Sequence, residues 1–140
     1  MYRPYRVMAI GVAVLVVAGA AVWAQAPKVM APIYGEAKLE ITKPATKMAG
    51  NEVITTFMLK NMESVPIAGL KIDEFWYDTG GIPLGTTTYR HPRPLQPGEV
   101  IAVTLKTNRV PKISRNKVGF THAHGTIKQT VVPKLQGPKT

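Results

Sequence analysis

By type and spacing, the residues best suited to chemistry are His122 and His124, two apart in a stretch whose alternation predicts a β-strand. A period of two sends both imidazoles to one face. Such a pair can open a Zn or Cu site, with His91 as a third nitrogen ligand and Met48, Met58 and Met62 as soft ligands for Cu(I). Against a metal centre, no carboxylate or cysteine lies near the pair in sequence, and Gly125 marks a turn, where exposed polar residues are ordinary. Met58 and Met62 most simply fill gaps in a core. No metal site and no cofactor are expected; His122, His124 and His91 remain the weak candidates.

Catalysis is poorly provided for. Nucleophilic chemistry needs a Ser, Cys or Thr with a histidine and an orienting acid. The only serines are Ser64 and Ser114, neither in a G-x-S-x-G elbow, and cysteine is absent. Asp73 and Glu74 are adjacent, so on a strand they point to opposite faces. Phosphate loops and dinucleotide fingerprints are missing. The expectation is a non-enzyme.

What remains is a surface suited to docking. Thr107–Lys117 places Arg109, Lys112, Arg115 and Lys117 in one predicted loop without an acid. Phe75-Trp76-Tyr77 concentrates aromatic area, and an exposed member, with Trp76 the candidate, would anchor a partner. Charge is divided along the chain. In residues 27–78 six lysines stand against seven acids, whereas in residues 79–140 ten Lys and Arg face only Glu99. That second half attracts anionic lipid or an acidic protein surface. Nucleic acid has the right charge but is rarely met outside the cytoplasm, so it is not an expected partner.

The leader supplies that location. Arg3 and Arg6 precede an uncharged run from Val7 through Leu15 to Trp23 and Ala24. Basic residues followed by an apolar run are the layout of a secretory signal or a single-pass anchor, with the domain on the periplasmic or extracellular side. Cleavage after Ala24 would leave a soluble periplasmic or secreted protein. Retention as an N-terminal hydrophobic helix requires about 20 apolar residues, and the run lies at the short end of that range. Trp23 suits the interface. Nothing in the rest of the chain suggests independent chemistry, so retention is the expectation followed. Residues 1–25 are thus signal or anchor, residues 26–35, with Pro27, Pro32 and Gly35, an extended linker, and residues 36–137 one domain.

Within that domain the predicted strands are Ala37–Thr42, Glu52–Asn61, Ile67–Tyr77, Leu84–Arg90, Val100–Lys106, Lys117–Ala123 and Thr126–Leu135. Val53, Thr55, Phe57 and Leu59 alternate with polar or solvent-facing neighbours, as do Ile101, Val103 and Leu105, and Val118 and Phe120. Alternation with one apolar face is the mark of a half-buried antiparallel strand. The phase breaks at Phe75-Trp76-Tyr77, which predicts a bulge or a strand covered on both faces. Pro92, Pro94 and Pro97 keep His91–Gly98 out of a sheet interior. About seven strands in about 100 residues predict an all-β, immunoglobulin-like or fibronectin-III-like antiparallel sandwich.

Phe57-x-Leu59-x-Asn61, Pro66-Ile67-x-x-Leu70-x-Ile72, Phe75-Trp76-Tyr77-Asp78-x-x-Gly81 and Leu95-x-Pro97-Gly98-Glu99 resemble the small Ig-like modules of FxLYD type. The likeness covers about residues 50–106, and Trp76 departs from it where a leucine would precede Tyr77. Such modules occur in bacterial envelope proteins, often behind a membrane anchor. The resemblance implies a fold and structural motifs: an Asn closing a strand, a Tyr-Asp entering a turn, a Pro-Gly opening the next strand. Taken together, these features predict a membrane-anchored accessory or assembly subunit of a larger membrane complex, its partners being other protein subunits. The alternatives are a soluble periplasmic Cu or Zn handling protein using His122 and His124, and an envelope protein binding anionic lipid or polymer.

Overall fold

The computed structural model describes residues 30–135. The leader, with Val7, Leu15 and Trp23, and the predicted N-terminal helix lie outside the described residues. Within them every regular element is a strand: β1 Ala37–Thr42, β2 Ala45–Ala49, β3 Glu52–Asn61, β4 Lys71–Asp78, β5 Pro83–Arg90, β6 Val100–Asn108, β7 Ile113–His122 and β8 Gly125–Val132.

Hydrogen bonds join all eight into one curled sheet, in the order β2-β3-β1-β8-β7-β4-β5, with β6 on the other side of β3. The alternation read from sequence sets the inner face. Val53, Thr55, Phe57 and Leu59 of β3 are buried, as are Val103 and Leu105 of β6, Leu39 and Ile41 of β1, and Phe120 of β7. Phe57 and Phe120 meet edge to face with ring centroids 5.8 Å apart, closing β3 against β7 across the core. Each of the apolar side chains among these contributes about 1.5–3 kcal/mol by leaving water.

β2 was not expected from sequence. All five of its residues are exposed, so it carries no burial alternation to read. It continues β1 after a one-residue slip: Ile41 faces Leu59, but Ala45 faces Thr56. Pro44 lies in the slip, having no N–H for the ladder. Thr42 Oγ1 accepts the Met58 amide at 2.8 Å there.

The strand predicted from Ile67 begins only at Lys71; Ile67 instead makes an isolated bridge to Leu95. At the aromatic run the pairing with β5 shifts between Trp76 and Tyr77, and that with β7 between Tyr77 and Asp78. The bulge lies where the phase break placed it.

The motif residues take structural parts. Asn61 is buried and donates from Nδ2 to the carbonyls of Val65 and Leu95, while its Oδ1 accepts the Glu63 amide. Asp78 Oδ1 accepts the amides of Gly80 and Ile82, folding the β4–β5 turn. Gly98, at φ 72°, donates its amide to the Asn61 carbonyl. The sheet therefore has an entry end, carrying Gly35, Asn61, Gly98 and the β7–β8 turn. Its far end carries the turns near residues 50, 80 and 110.

Candidate interaction surface and the histidine end

His122 closes β7 and His124 sits in the two-residue turn before β8. They do not share a face as a ligand pair. His122 is buried, its Nε2 bonded at 2.7 Å to the Gly35 carbonyl and its Nδ1 accepting the His124 amide at 3.3 Å. A carbonyl only accepts, so Nε2 carries the proton. Both ring nitrogens are then engaged, and a metal could bind only by displacing one of these bonds. His124 stacks instead on Tyr34, centroids 4.3 Å apart. The described end of the predicted linker is thus fastened to the domain: Ile33 donates to the Pro66 carbonyl and Gly35 to that of His124. Gly125 must be glycine here, since a Cβ would lie 2.2 Å from the Gly35 oxygen.

His91 stands apart from that pair, at the end of β5, with Nδ1 bonded to the Tyr89 hydroxyl at 2.9 Å. Its Nε2 is buried without a partner. Burial, and then the Arg93 charge, push its pKa below the ordinary imidazole value, against an upward pull from Glu99. Arg93 grips Glu99 with two bonds, Nη1 to Oε1 at 2.7 Å and Nη2 to Oε2 at 2.5 Å. That grip holds the Glu99 carboxyl below its usual range. Among the described residues no three His, Cys, Asp or Glu side chains converge as a metal site would need. Nor do Met58 and Met62 fill the core. Both are exposed, Met58 because it alternates outward between Phe57 and Leu59.

The basic segment is more ordered than a loop of eleven residues would be. β6 runs to Asn108 and β7 starts at Ile113, leaving Arg109–Lys112 as a tight turn. Arg109 donates its amide to the Asn51 carbonyl at 2.7 Å, and Lys112 takes φ 66°. Met48, Arg109, Val110, Pro111, Lys112 and Ile113 line a shallow cavity of about 400 Å³. Arg115 and Lys117 belong to β7, directly opposite Tyr77 and Phe75 of β4. Cross-strand partners share a face, so the outer surface of the β5-β4-β7 sheet presents two aromatics beside two cations.

Trp76 is not the exposed member of the aromatic run. It is 4% exposed and points inward with Ile72 and Glu74; the exposed ring is Phe75, at 37%. The bulge falls after Trp76, so it does not turn that ring outward.

Sequence reasoning missed Glu74. This carboxylate is fully buried on the inner face, and it accepts from Trp76 Nε1 at 2.9 Å, Asn116 Nδ2 at 2.9 Å and the Thr107 hydroxyl at 3.4 Å. The Thr87 and Thr107 hydroxyls meet at 2.6 Å, carrying the network from β4 and β7 across to β5 and β6. A buried polar side chain needs such partners. The one signal in the sequence was phase, since Glu74 lies between Ile72 and Trp76 at period two.

No family model matches the chain and no curated protein does, so the FxLYD-type resemblance rests on its motif residues. Among solved structures, the trimeric lipoprotein SadB of Salmonella enterica is similar at TM-score 0.43 and 21% identity, over 55% of this chain and 47% of that one. The chain therefore spans about half the length of that neighbour. IrmA from Escherichia coli is similar at TM-score 0.44 and 14% identity, over 74% of this chain and 99% of that one. At these TM-scores neither similarity assigns a fold family or a function.

Proposed function

We propose that the chain is a non-catalytic, extracytoplasmic Ig-like module that serves as an accessory or assembly subunit at the membrane. It docks other protein subunits through the outer face of β4 and β7. The observation that carries this reading is the Phe75–Tyr77 pair set beside Arg115 and Lys117 on one solvent-facing surface. Aromatic area next to unpaired cations is the composition of a protein interface core with a charged margin. The immunoglobulin-like part of this reading rests on strand number and alternation; the eight strands form one curled sheet in which β8 runs parallel to β1, where an antiparallel sandwich was the expectation. Export and anchoring rest on the leader pattern, and the fastening of Ile33 and Gly35 would keep the entry end of the domain toward the membrane.

The test is site-specific photocrosslinking in cells of the native host. A photoreactive residue at Phe75 is expected to yield a discrete higher-mass adduct in the envelope fraction, and the same residue at Lys47, on exposed β2 at the far end of the sheet path, is expected to yield none. Uncrosslinked monomer from both positions would sink the reading. The apolar and basic turn at Arg109–Lys112 supports a second reading, attachment to anionic lipid. Binding to anionic vesicles that weakens with salt, and that Arg109→Glu with Lys112→Glu abolishes, would favour it.

A further inference from the structure

Seven of the eight strands lie along one continuous path, yet that path is interrupted in its middle. β7 pairs with β4 along nearly its whole length, Ile113 through Thr121. On its other side, only Thr121 and His122 pair, with Thr126 and Gly125 of β8. β8 then leaves β7 to run parallel to β1, Ala37–Thr42 against Ile127–Val132. Among the described residues nothing pairs with that side of β7 from Ile113 to Phe120. A long edge of this kind is a template for another strand unless something guards it.

We propose that this edge of β7 receives an extended segment of a partner protein, added as a strand and carrying acidic residues at alternate positions. The inference rests on the docking role proposed above and specifies the site and chemistry of the contact. Arg115 and Lys117 are two apart and share the outer face, and neither is in an ion pair among the described residues. An added strand places every second side chain on that face beside them. Carboxylates there complete cross-strand pairs.

The same geometry decides against a second copy of this chain. Pairing β7 with β7 would set Arg and Lys against Arg and Lys, and like charges directly opposite are destabilising. On the inner side the added strand would meet apolar side chains beside the polar Asn116 and Gln129. Val118 is half-buried, and Val131, on the core-facing side of β8 opposite Ile41, is 57% exposed. The partner segment is therefore amphipathic at period two, acids outward and aliphatic residues inward. Its backbone supplies affinity through the ladder, and its acids supply register.

The experiment uses the full chain, nitrogen-15 labelled, in non-ionic detergent. The probe is a capped peptide of about eight residues alternating valine and glutamate, matched to ordinary strand length. Amide shifts are expected to concentrate at 113–120. A valine–lysine peptide, and a valine–glutamate peptide N-methylated at every residue, are each expected to bind about ten-fold more weakly or not at all. The double variant Arg115→Glu with Lys117→Glu should reverse the preference between the glutamate and lysine peptides while β3 and β6 resonances stay in place.

Equal binding by the N-methylated peptide would overturn strand addition, because charge would then suffice without a ladder. Shifts confined to other strands, no binding, or shifts at 113–120 induced by anionic vesicles and not by the peptide would overturn it as well. The Phe75 crosslink separates the two levels. If the Phe75 adduct forms in the parent protein while the valine–glutamate peptide fails to bind that protein, the docking role stands and the strand site falls. If no adduct forms, the docking role itself fails.

Discussion

His122 Nε2 donates to the carbonyl of Gly35 at 2.7 Å across 87 residues of sequence, tying the point where the chain enters the sheet to the last hairpin. Gly125 leaves room for that contact, since a Cβ there would lie 2.2 Å from the Gly35 oxygen. Gly125→Ala is therefore expected to expel residues 33–35 from their seat. Hydrogen exchange at the Gly35 amide, bonded to the His124 carbonyl, should accelerate sharply. Global stability should fall by about 1–3 kcal/mol. Unchanged protection of that amide would contradict the close approach.

Glu74 gives a second prediction. Glu74→Ala leaves the Trp76 indole N–H and the Asn116 amide without their acceptor, each buried or partly so. Stranded donors of this kind cost about 1–3 kcal/mol apiece, so urea unfolding should show a loss of about 3 kcal/mol. Glu74→Gln keeps the shape and one acceptor oxygen, and its loss should be smaller. A variant as stable as the parent would mean that the network holds nothing together.

The two faces of the sheet should respond differently to the same truncation. Phe57→Ala opens a cavity against Phe120 and is expected to cost about 3–5 kcal/mol. Phe75→Ala removes an exposed ring and should change stability by no more than about 0.5 kcal/mol, although it removes the proposed docking anchor. Thermal denaturation of the pair checks this. A large destabilisation by Phe75→Ala would show that the ring serves the fold.

Acid should destabilise the domain in two steps. The folded pKa of His91 is lowered, chiefly by burial, so the unfolded chain takes up its proton first as pH falls. Stability from this group is complete above about 6.5 and declines as pH drops through that value toward the lower folded one. Glu99 is also lowered, chiefly by its hydrogen bond to Arg93. Its contribution is present above about 4.3 and is lost as pH falls through the folded value. Melting temperature against pH should therefore decline in both windows. His91→Gln should flatten the upper decline and Glu99→Gln the lower.

The strands legible in sequence were those with one wet and one dry face. β3, β6 and β7 announced themselves because Phe57, Leu59, Val103, Leu105, Val118 and Phe120 recur at period two. β2 did not, because no residue in it is buried and no alternation can arise. The shortening of the basic loop was equally hidden. Arg115 and Lys117 are polar on the outer face of a strand, and composition alone cannot distinguish that from a loop.

The site was only partly legible, for reasons of the same kind. Trp76 faces inward because the period-two phase of Ile72 and Glu74 carries through it, but a charged residue in that phase hides the inward face from a reading of the sequence. The histidine pair looked like ligands because spacing does not reveal that Gly35 and the His124 amide already occupy both nitrogens of His122. The open side of β7 depends on where β8 goes after its turn. That is a tertiary choice, made by the parallel pairing with β1.

The parallel pairing of β1 and β8 also sets how the protein would bear load. The chain enters β1 at one end of the sheet and leaves β8 at the other. Tension between an N-terminal tether and a partner holding the C-terminal side would pull these neighbours past one another lengthwise. All the ladder bonds from Ala37–Ile127 to Thr42–Val132 would then be strained together, in shear, and none could open before the rest. A hairpin pulled from its open end parts one bond at a time; this pair must yield as a unit. Held at one end and gripped at the other, the domain would behave as a stiff link.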